Sequence, residues 1–563
     1  MKRNLYISIL LLLLGSSASV LAQVQSRAKV SGTQIYVQGL EAFENEEYNR
    51  SIELLLEARK QLGSDAGINF AISDAYFAKM DLPNAALYGK QAVQREPANK
   101  WYRLKLAQIY RSAGENTATL EELKTLLEYH PNDYDALFML ADTYKDYGEY
   151  LKSNEVLDTA LKLTGPQRSI YLLKFRNFEA LGVRDSAITQ LELLRDVDPD
   201  NLSTLNILSE YYAKSGEEGS AKEVLSDALN RNSRDPQSLI NLAGIYIRAQ
   251  QWDSAGTLIR TFLADKVILP EDKLGVAQFL YSKQQQSPLN EQFKKETGWA
   301  LDTYTESSPG YGPAFTLAGQ YYAQNNEVEK AIKKLERGNE LLPQDDIAWR
   351  LRLQLLLSEN RLEEAIEVGQ KADENVPDDS FIQFFIGSAY MLSDKNEEAV
   401  VWLERASRAP ARKPFKSVIY STLGDANSNL GNSEEADRVY ELALRYDPEN
   451  HNAMNNYAYN LSVRGEKLDR AQELALKAME IEPENAAYLD TMGWIFYKLG
   501  DYEKAKRFIK ASIDLDTNAA SAEVLEHLGD VYEKLGNISE AKKNWKQALE
   551  KDATRTHLKD KIK

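Results

Sequence analysis

Four histidines and no cysteine limit the metal and nucleophilic chemistry available to this chain of 563 residues. The histidines are His130, His451, His527 and His557, and none has another histidine at metal-ligand spacing. Without cysteine there are no disulfides, thiol nucleophiles or thiolate metal sites. The sequence also contains no phosphate-binding loop, nucleophile elbow or dinucleotide fingerprint. We therefore predict no catalytic residues, no metal site and no cofactor, and we interpret the four histidines as structural.

Aromatic and amide side chains near the C-terminus point instead to the binding of a protein segment. Asp490, Trp494 and Tyr497 are separated by four and three residues, so they would share one face of a helix. Asn455 and Tyr459 have the same four-residue spacing on a preceding segment. Aromatic side chains supply apolar anchors, and amides hydrogen-bond a peptide backbone. The pattern predicts a face that suits an extended peptide.

The segments that carry these residues belong to a repeat. A position that usually holds a small residue recurs every 34 residues at Gly39, Ser73, Ala107, Ala141, Phe175, Ser209 and Ala243, and then every 34 to 37 residues at Gly319, Leu353, Gly387, Gly424, Ala458, Gly493 and Gly529. An aromatic residue usually follows three positions later, an alanine twelve and a proline twenty-four. The small residue lets a second helix approach closely, and the proline separates one repeat from the next. Glycines such as Gly431 and Gly500 suit the end of a helix. A period of this length indicates a solenoid of helix–turn–helix units.

These positions resemble the tetratricopeptide repeat family, most clearly in Leu489–Ser512 and Leu525–Ala548. The resemblance covers nearly the whole chain after its first residues. Phe175 and Leu353 depart from it at the small position, and Asn427 departs at the aromatic position. The resemblance implies an all-α fold, a right-handed superhelical solenoid of about 15 helix–turn–helix repeats, with an irregular repeat near the middle.

In the family that this chain resembles, positions 2, 5, 9 and 12 of each first helix line a concave groove. Toward the C-terminus the matching residues are Asn452, Asn455, Tyr459, Asp490, Trp494 and Tyr497, with Asn456 and Lys498 beside them. In the N-terminal part they include Phe70, Asp74, Phe77, Trp101, Gln108 and Arg111. Packing between helices is an equally open interpretation of Phe70 and Phe77. The asparagines lack lysine or arginine at matching positions, so we do not expect capture of a terminal carboxylate.

The chain is predicted to have four parts. Residues 1–22 read as a signal peptide, because Lys2 and Arg3 precede an apolar run and a small-residue cleavage site follows it. Residues 32–268 form an N-terminal repeat array, 269–311 an irregular repeat or joint, and 312–555 a C-terminal array. The joint is either an insertion in one inter-helix loop, which we favour, or a functional element, namely a hinge or an additional docking loop.

The charge balance narrows the possible partners. A formal net charge of −17 argues against nucleic acid and anionic lipid, which require basic surfaces. No segment after the first residues is long and apolar enough to span a bilayer. We interpret the mildly basic tail from Lys551 to Lys563 as a frayed, solvated helix end. The predicted location is exported, periplasmic or outer-membrane-associated in a bacterium, and the missing cysteine argues against a lipoprotein.

Three functions remain open from the sequence. The main hypothesis is a non-enzymatic scaffold or adaptor of a bacterial cell envelope that holds protein partners along its groove. An alternative is glycan or peptidoglycan binding through Tyr459, Trp494 and Tyr497. The third is an enzyme with a site in the joint, although that stretch has no histidine and no recognisable motif.

Overall fold

The computed structural model describes residues 21–515 and 520–563, with side chains from residue 31 onward. All regular secondary structure in these ranges is helical. The first sixteen helices are α1 Leu21–Glu44, α2 Tyr48–Leu62, α3 Ala66–Ala78, α4 Leu82–Arg95, α5 Lys100–Ser112, α6 Asn116–Tyr129, α7 Tyr134–Asp146, α8 Tyr150–Thr164, α9 Arg168–Ala180, α10 Arg184–Val197, α11 Leu202–Lys214, α12 Glu218–Arg231, α13 Pro236–Arg248, α14 Trp252–Ala264, α15 Pro270–Gln285 and α16 Glu291–Ser307. The others are α17 Gly312–Gln324, α18 Val328–Leu341, α19 Asp346–Ser358, α20 Leu362–Asn375, α21 Ser380–Leu392, α22 Asn396–Arg408, α23 Lys413–Asn429, α24 Ser433–Tyr446, α25 His451–Arg464, α26 Leu468–Ile481, α27 Ala486–Lys498, α28 Tyr502–Leu515, α29 Ala522–Lys534, α30 Ile538–Lys551 and α31 Leu558–Ile562.

Helices α1 to α30 follow one another in sequence as fifteen first-helix and second-helix pairs, and α31 comes after the last pair. The predicted all-α solenoid of about 15 repeats is therefore confirmed within the described ranges. The predicted irregular repeat corresponds to α15 and α16, whose 16 and 17 residues make them longer than most of the other helices. Ala277, the small residue of that repeat, is fully buried.

The repeat positions form the contacts between paired helices. An alanine stands twelve residues after ten of the small positions and is fully buried in each case: Ala85, Ala187, Ala221, Ala255, Ala331, Ala365, Ala399, Ala436, Ala505 and Ala541. At Gly387, an added Cβ would lie 2.7 Å from Cγ of Leu403 and 3.2 Å from its backbone nitrogen. Because no side chain larger than hydrogen fits there, glycine sets how closely α21 and α22 approach.

The ends of the helices are fixed by local sequence. Most first helices start after Asp or Asn, whose side chain accepts a backbone N–H of the first turn, as at Asp133, Asp379 and Asn450. Gly431 and Gly500 end α23 and α27 with φ of 75° and 82°, a region that L side chains rarely adopt. The predicted helix-terminal role of these glycines is confirmed.

The chain divides into two compact units, Met1–Gln250 and Gln251–Lys563. The predicted array limits 32–268, 269–311 and 312–555 are not tested by this division and stay predictions.

The predicted signal peptide, 1–22, falls almost wholly outside the described residues and stays a prediction. Within residues 21–515 and 520–563, no helix combines the length and the apolar character needed to cross a bilayer.

Candidate partner-binding face

Three consecutive first helices, α25, α27 and α29, carry the C-terminal candidate residues. Their starts are set by the capping residues Asn450, Asn485 and Ser521, whose side-chain oxygens accept backbone N–H groups of the first turn. This cap fixes the register of each helix, so residues at equivalent repeat positions occupy equivalent places on neighbouring helices.

An aromatic stack lies at the centre of this face. The indole of Trp494 stacks on the ring of Tyr497, one turn along α27, with centroids 4.5 Å apart and an interplanar angle of 4°. The imidazole of His527, from α29, stacks on the same indole at 3.9 Å and 15°. Two nearly parallel rings this close to one indole must lie on opposite faces of it, so Trp494 is enclosed between Tyr497 and His527. Lys498 places its ammonium 5.3 Å from the indole centroid.

Hydrogen bonds tie the stack to carboxylates on neighbouring helices. Nδ1 of His527 lies 3.1 Å from Oδ2 of Asp490, and both side chains are buried. The hydroxyl of Tyr459, on α25, donates to Glu523, which is two repeats further along. Burial and this carboxylate raise the pKa of the Tyr459 hydroxyl. Burial, with Asp530 and Glu533 adding to it, raises the pKa of Tyr497 to about 12. We call Tyr459, Asp490, Trp494, Tyr497, Glu523 and His527 the aromatic–acid cluster.

The three predicted asparagines of α25 differ in their surroundings. Asn452 is exposed, and its Oδ1 accepts the hydroxyl of Tyr488 at 2.8 Å. The amide of Asn456 donates to Asp425 at 3.2 Å. Asn455 is only 8 % exposed, and its Oδ1 accepts no hydrogen bond from any residue that the structure describes. A buried acceptor without a partner is costly, and because this oxygen is inaccessible from the surface, Asn452 is the exposed asparagine of α25 that a partner can reach.

Asp425, on the preceding first helix α23, extends the polar part of the face. Its Oδ1 also accepts the hydroxyl of Tyr440 at 2.5 Å. Burial raises the pKa of Asp425 to about 6, although the hydrogen bonds from Tyr440 and Asn456 favour its charged form.

The N-terminal candidates lie on α3 and α5, in the first unit. Lys105 joins the two helices, since its ammonium lies 2.5 Å from Oδ1 of Asp74 and 5.2 Å from the ring centroid of Phe77. The ring of Phe70 packs on Tyr102 with centroids 4.8 Å apart. These contacts bring Asp74, Phe77 and Phe70 into contact with α5.

The other N-terminal candidates are partly engaged. Arg111 bonds Asp142 at 2.5 Å, and Lys145 bonds the same carboxylate. Burial disfavours the charged form of Asp142, but these two hydrogen bonds outweigh it and lower its pKa. Trp101 is 53 % exposed and Gln108 is also exposed. Arg111 and Asp74 therefore tie repeats together, whereas Trp101 and Gln108 face solvent.

Sequence reasoning missed His527, Glu523 and Asp425. In the sequence, His527 reads as one of four structural histidines. The repeat register could have identified His527. His527 occupies position 6 of its repeat, and Asp490 occupies position 5 of the preceding repeat, so the two side chains are expected on facing parts of neighbouring first helices. Among the described residues, no three His, Asp or Glu side chains converge in a way that could hold a metal ion.

The prediction of a frayed, solvated tail is wrong. Leu558 is fully buried and belongs to an apolar cluster with Trp545 and Leu525. Arg555 and His557 bond Glu526 at 2.6 and 2.8 Å. The tail is held because its positive charges meet carboxylates of α29 and because Leu558 covers the last second helix.

Comparison with known proteins gives the same repeat. Two family models described as tetratricopeptide repeat match residues 36–100 and 316–380, and residues 418–450, 486–518 and 522–554. A TPR repeat-containing protein of Pseudomonas aeruginosa is 23% identical over 224 residues, which is 39% of this chain and 32% of that protein. The chain thus spans about a third of the length of the curated relative it matches.

Solved structures with a similar fold include the Cut9–Hcn1 hetero-tetramer of the APC/C and yeast Tom70. The first is 14% identical, covers 87% of this chain and 94% of its own, and has a TM-score of 0.38. Tom70 is 14% identical, with 88% and 94% covered and a TM-score of 0.32. At such values these structures say nothing about the partners of this chain.

Proposed function

Since the chain belongs to the tetratricopeptide repeat family, we propose that it is a non-enzymatic scaffold that holds a protein segment on the face of α25, α27 and α29. We also propose that it is exported and works in a bacterial cell envelope, periplasmic or outer-membrane-associated, without a lipid anchor. The repeat fold supports the general part of this proposal, namely that the chain is a protein-interaction scaffold. The location rests only on the predicted signal peptide and the missing cysteine.

The observation that carries the proposal is a pair of exposed polar side chains, Asn452 on α25 and Lys498 on α27, on neighbouring first helices of the same face. Their N–H groups can donate hydrogen bonds to backbone carbonyl oxygens of an extended segment. The packed aromatic–acid cluster provides a rigid floor, which limits the conformational entropy lost on binding.

Glycan binding by aromatic stacking has less support. A sugar ring needs a free aromatic face, but both faces of Trp494 are covered by Tyr497 and His527. The hydroxyl of Tyr459 is directed to Glu523 and its side chain is partly buried. A glycan would therefore have to break a formed stack before it could bind there.

The proposal is tested by blocking the face without removing any of its contacts. Ala487 is exposed and is the second residue of α27, at the register position of Asn452 and Glu523. We expect Ala487→Trp to abolish co-purification of a stoichiometric partner from the native cells. The matched control is Lys510→Trp on the second helix α28, where the side chain is also exposed. Equal recovery of every protein with both variants, or the absence of a stoichiometric protein with the wild type, would contradict the proposal.

A further inference from the structure

The repeats that precede the proposed binding face in the second unit carry a surface with positive charge. The chain holds 85 acidic residues, yet between Glu404 and Asp425 it has none. The same stretch contains five cationic residues: Arg405, Arg408, Arg412, Lys413 and Lys416. It coincides with a longer spacing between small positions, 37 residues from Gly387 to Gly424 instead of 34. The extra residues lengthen the first helix of the repeat, since α23 has 17 residues where α19 and α21 have 13.

Three of these cations are accounted for by their contacts. Arg405 bonds Asp373 at 2.7 Å, and Arg408 bonds Glu404 at 2.7 Å. Lys416 donates to the carbonyl oxygen of Ala409 at 2.7 Å, close to the C-terminal end of α22. Burial lowers the pKa of Lys416. These three side chains hold the connection between α22 and α23 in place.

Arg412 and Lys413 are different, because both are exposed and neither pairs with a carboxylate within residues 21–515 and 520–563. An exposed cation on a helix can pair with a carboxylate three or four residues away. Here the adjoining sequence offers none. Their charges are available to a binding partner without any loss of an internal ion pair.

Phe415, two residues after Lys413, belongs to an aromatic pair. The rings of Phe415 and Phe381 stack with centroids 3.9 Å apart and an interplanar angle of 12°. Phe381 remains 37 % exposed, and the guanidinium of Arg350 lies 4.9 Å from its ring centroid. Val418, one turn after Phe415 on α23, is also exposed. We call Arg412, Lys413, Phe415, Phe381 and Val418 the basic–aromatic surface.

The apolar residues follow the repeat register. Ile347, Phe381 and Val418 occupy the same position of three consecutive repeats, 34 and 37 residues apart, and all three are exposed. Exposed apolar residues scattered singly are common, but a row at one register position forms a continuous strip. A partner segment that follows the row would bury this strip.

We propose that the basic–aromatic surface binds an acidic peptide segment of a partner protein, in which carboxylate side chains flank an aromatic or aliphatic residue. The carboxylates pair with Arg412 and Lys413, and the apolar residue packs on Phe381 and Val418. Side-chain carboxylates are sufficient, so the segment can lie anywhere in its protein. Two unpaired cations on a chain of net charge −17 suit a short acidic segment better than a polyanion or an anionic membrane.

The test uses the whole chain and a random library of 12-residue peptides with amidated ends. We expect the selected peptides to be enriched in Asp or Glu next to an aromatic or aliphatic residue. Their affinity should fall at least tenfold in the double variant Arg412→Glu/Lys413→Glu and should weaken as salt is raised. A second variant, Phe381→Ser, should reduce the affinity without changing the salt dependence.

The controls separate this proposal from the function proposed for α25, α27 and α29. Lys510→Glu/Lys546→Glu makes the same change in net charge at two exposed positions elsewhere and should leave the affinity unchanged. Ala487→Trp should also leave it unchanged. Peptides without acidic enrichment, no selected peptide, or equal affinity for both double variants would overturn the proposal. So would preferential binding to vesicles of anionic lipid that the double variant abolishes.

Discussion

The close approach of α27 and α28 at Gly493 allows a quantitative prediction. A Cβ added there would lie 2.5 Å from Cγ1 of Ile509, 3.1 Å from its backbone nitrogen and 3.2 Å from the carbonyl oxygen of Ala505. The Ile509 side chain can rotate away, but the two backbone atoms can move only if the helices separate. We therefore expect Gly493→Ala to carry an overpacking cost of about 1–3 kcal/mol.

A second glycine provides the reference for this prediction. Gly275 lies inside α15, and an added Cβ there would meet nothing within 4 Å. Both Gly→Ala changes gain about 1 kcal/mol of helix propensity, so that gain cancels in the difference between them. The free energy of local opening should therefore be lower for Gly493→Ala than for Gly275→Ala, each relative to the wild type, by about 1–3 kcal/mol.

Native-state hydrogen exchange, read by mass spectrometry on peptides from each helix, is the appropriate assay. A long repeat array does not unfold in one two-state step, so a single unfolding free energy would not be defined. Equal stabilisation by the two substitutions would refute the argument, because it would mean that glycine does not set the distance between α27 and α28.

Two further predictions concern the second unit. Because burial raises the pKa of Asp425 to about 6 from an ordinary 3.8, the folded form binds this proton more tightly than the unfolded form. The stability that Asp425 contributes is therefore complete below its ordinary pKa of 3.8 and is lost as the pH rises through about 6. The variant Asp425→Asn should remove this pH dependence from the local opening free energy of α23. Leu558 is fully buried beside Trp545, so Leu558→Ala should weaken the packing of the tail on α30 by about 2–4 kcal/mol in local opening free energy. Limited proteolysis should then release the tail. A slope that persists in Asp425→Asn, or a tail that stays resistant in Leu558→Ala, would contradict the respective prediction.

The repeat register was readable from the sequence because each position has one physical role. The alanine twelve residues after the small residue is buried wherever it occurs, and Gly431 and Gly500 adopt the positive φ that a helix end requires. Such roles depend on the backbone and on the nearest helix. For that reason they can be predicted without knowing how successive repeats are rotated.

Which side chains meet on the candidate face depends on how successive repeats are rotated. These contacts therefore could not be predicted from the repeat register alone. The spacing of Trp494 and Tyr497 predicts that they share a helix face, but it gives no indication that His527 closes the stack. The pairing of Tyr459 with Glu523 spans 64 residues and two repeats. The role of the predicted site residues in partner binding itself remains a prediction.

The basic–aromatic surface was missed for a different reason. The 37-residue spacing from Gly387 to Gly424 is visible in the sequence, but it resembles the ordinary variation in length between repeats. Only the structure shows that Phe415, in the first turn of the longer helix α23, stacks on the exposed ring of Phe381.

The most direct test of the central claim is photo-crosslinking in the native cells from a photoreactive amino acid placed at Asn452, Lys498 or Lys510. All three side chains are exposed, so the substitution leaves the packed aromatic–acid cluster intact. A protein segment on the face of α25, α27 and α29 predicts the same discrete adduct from Asn452 and Lys498 and none from Lys510. Adducts that are absent, or equal at all three positions, would contradict the claim.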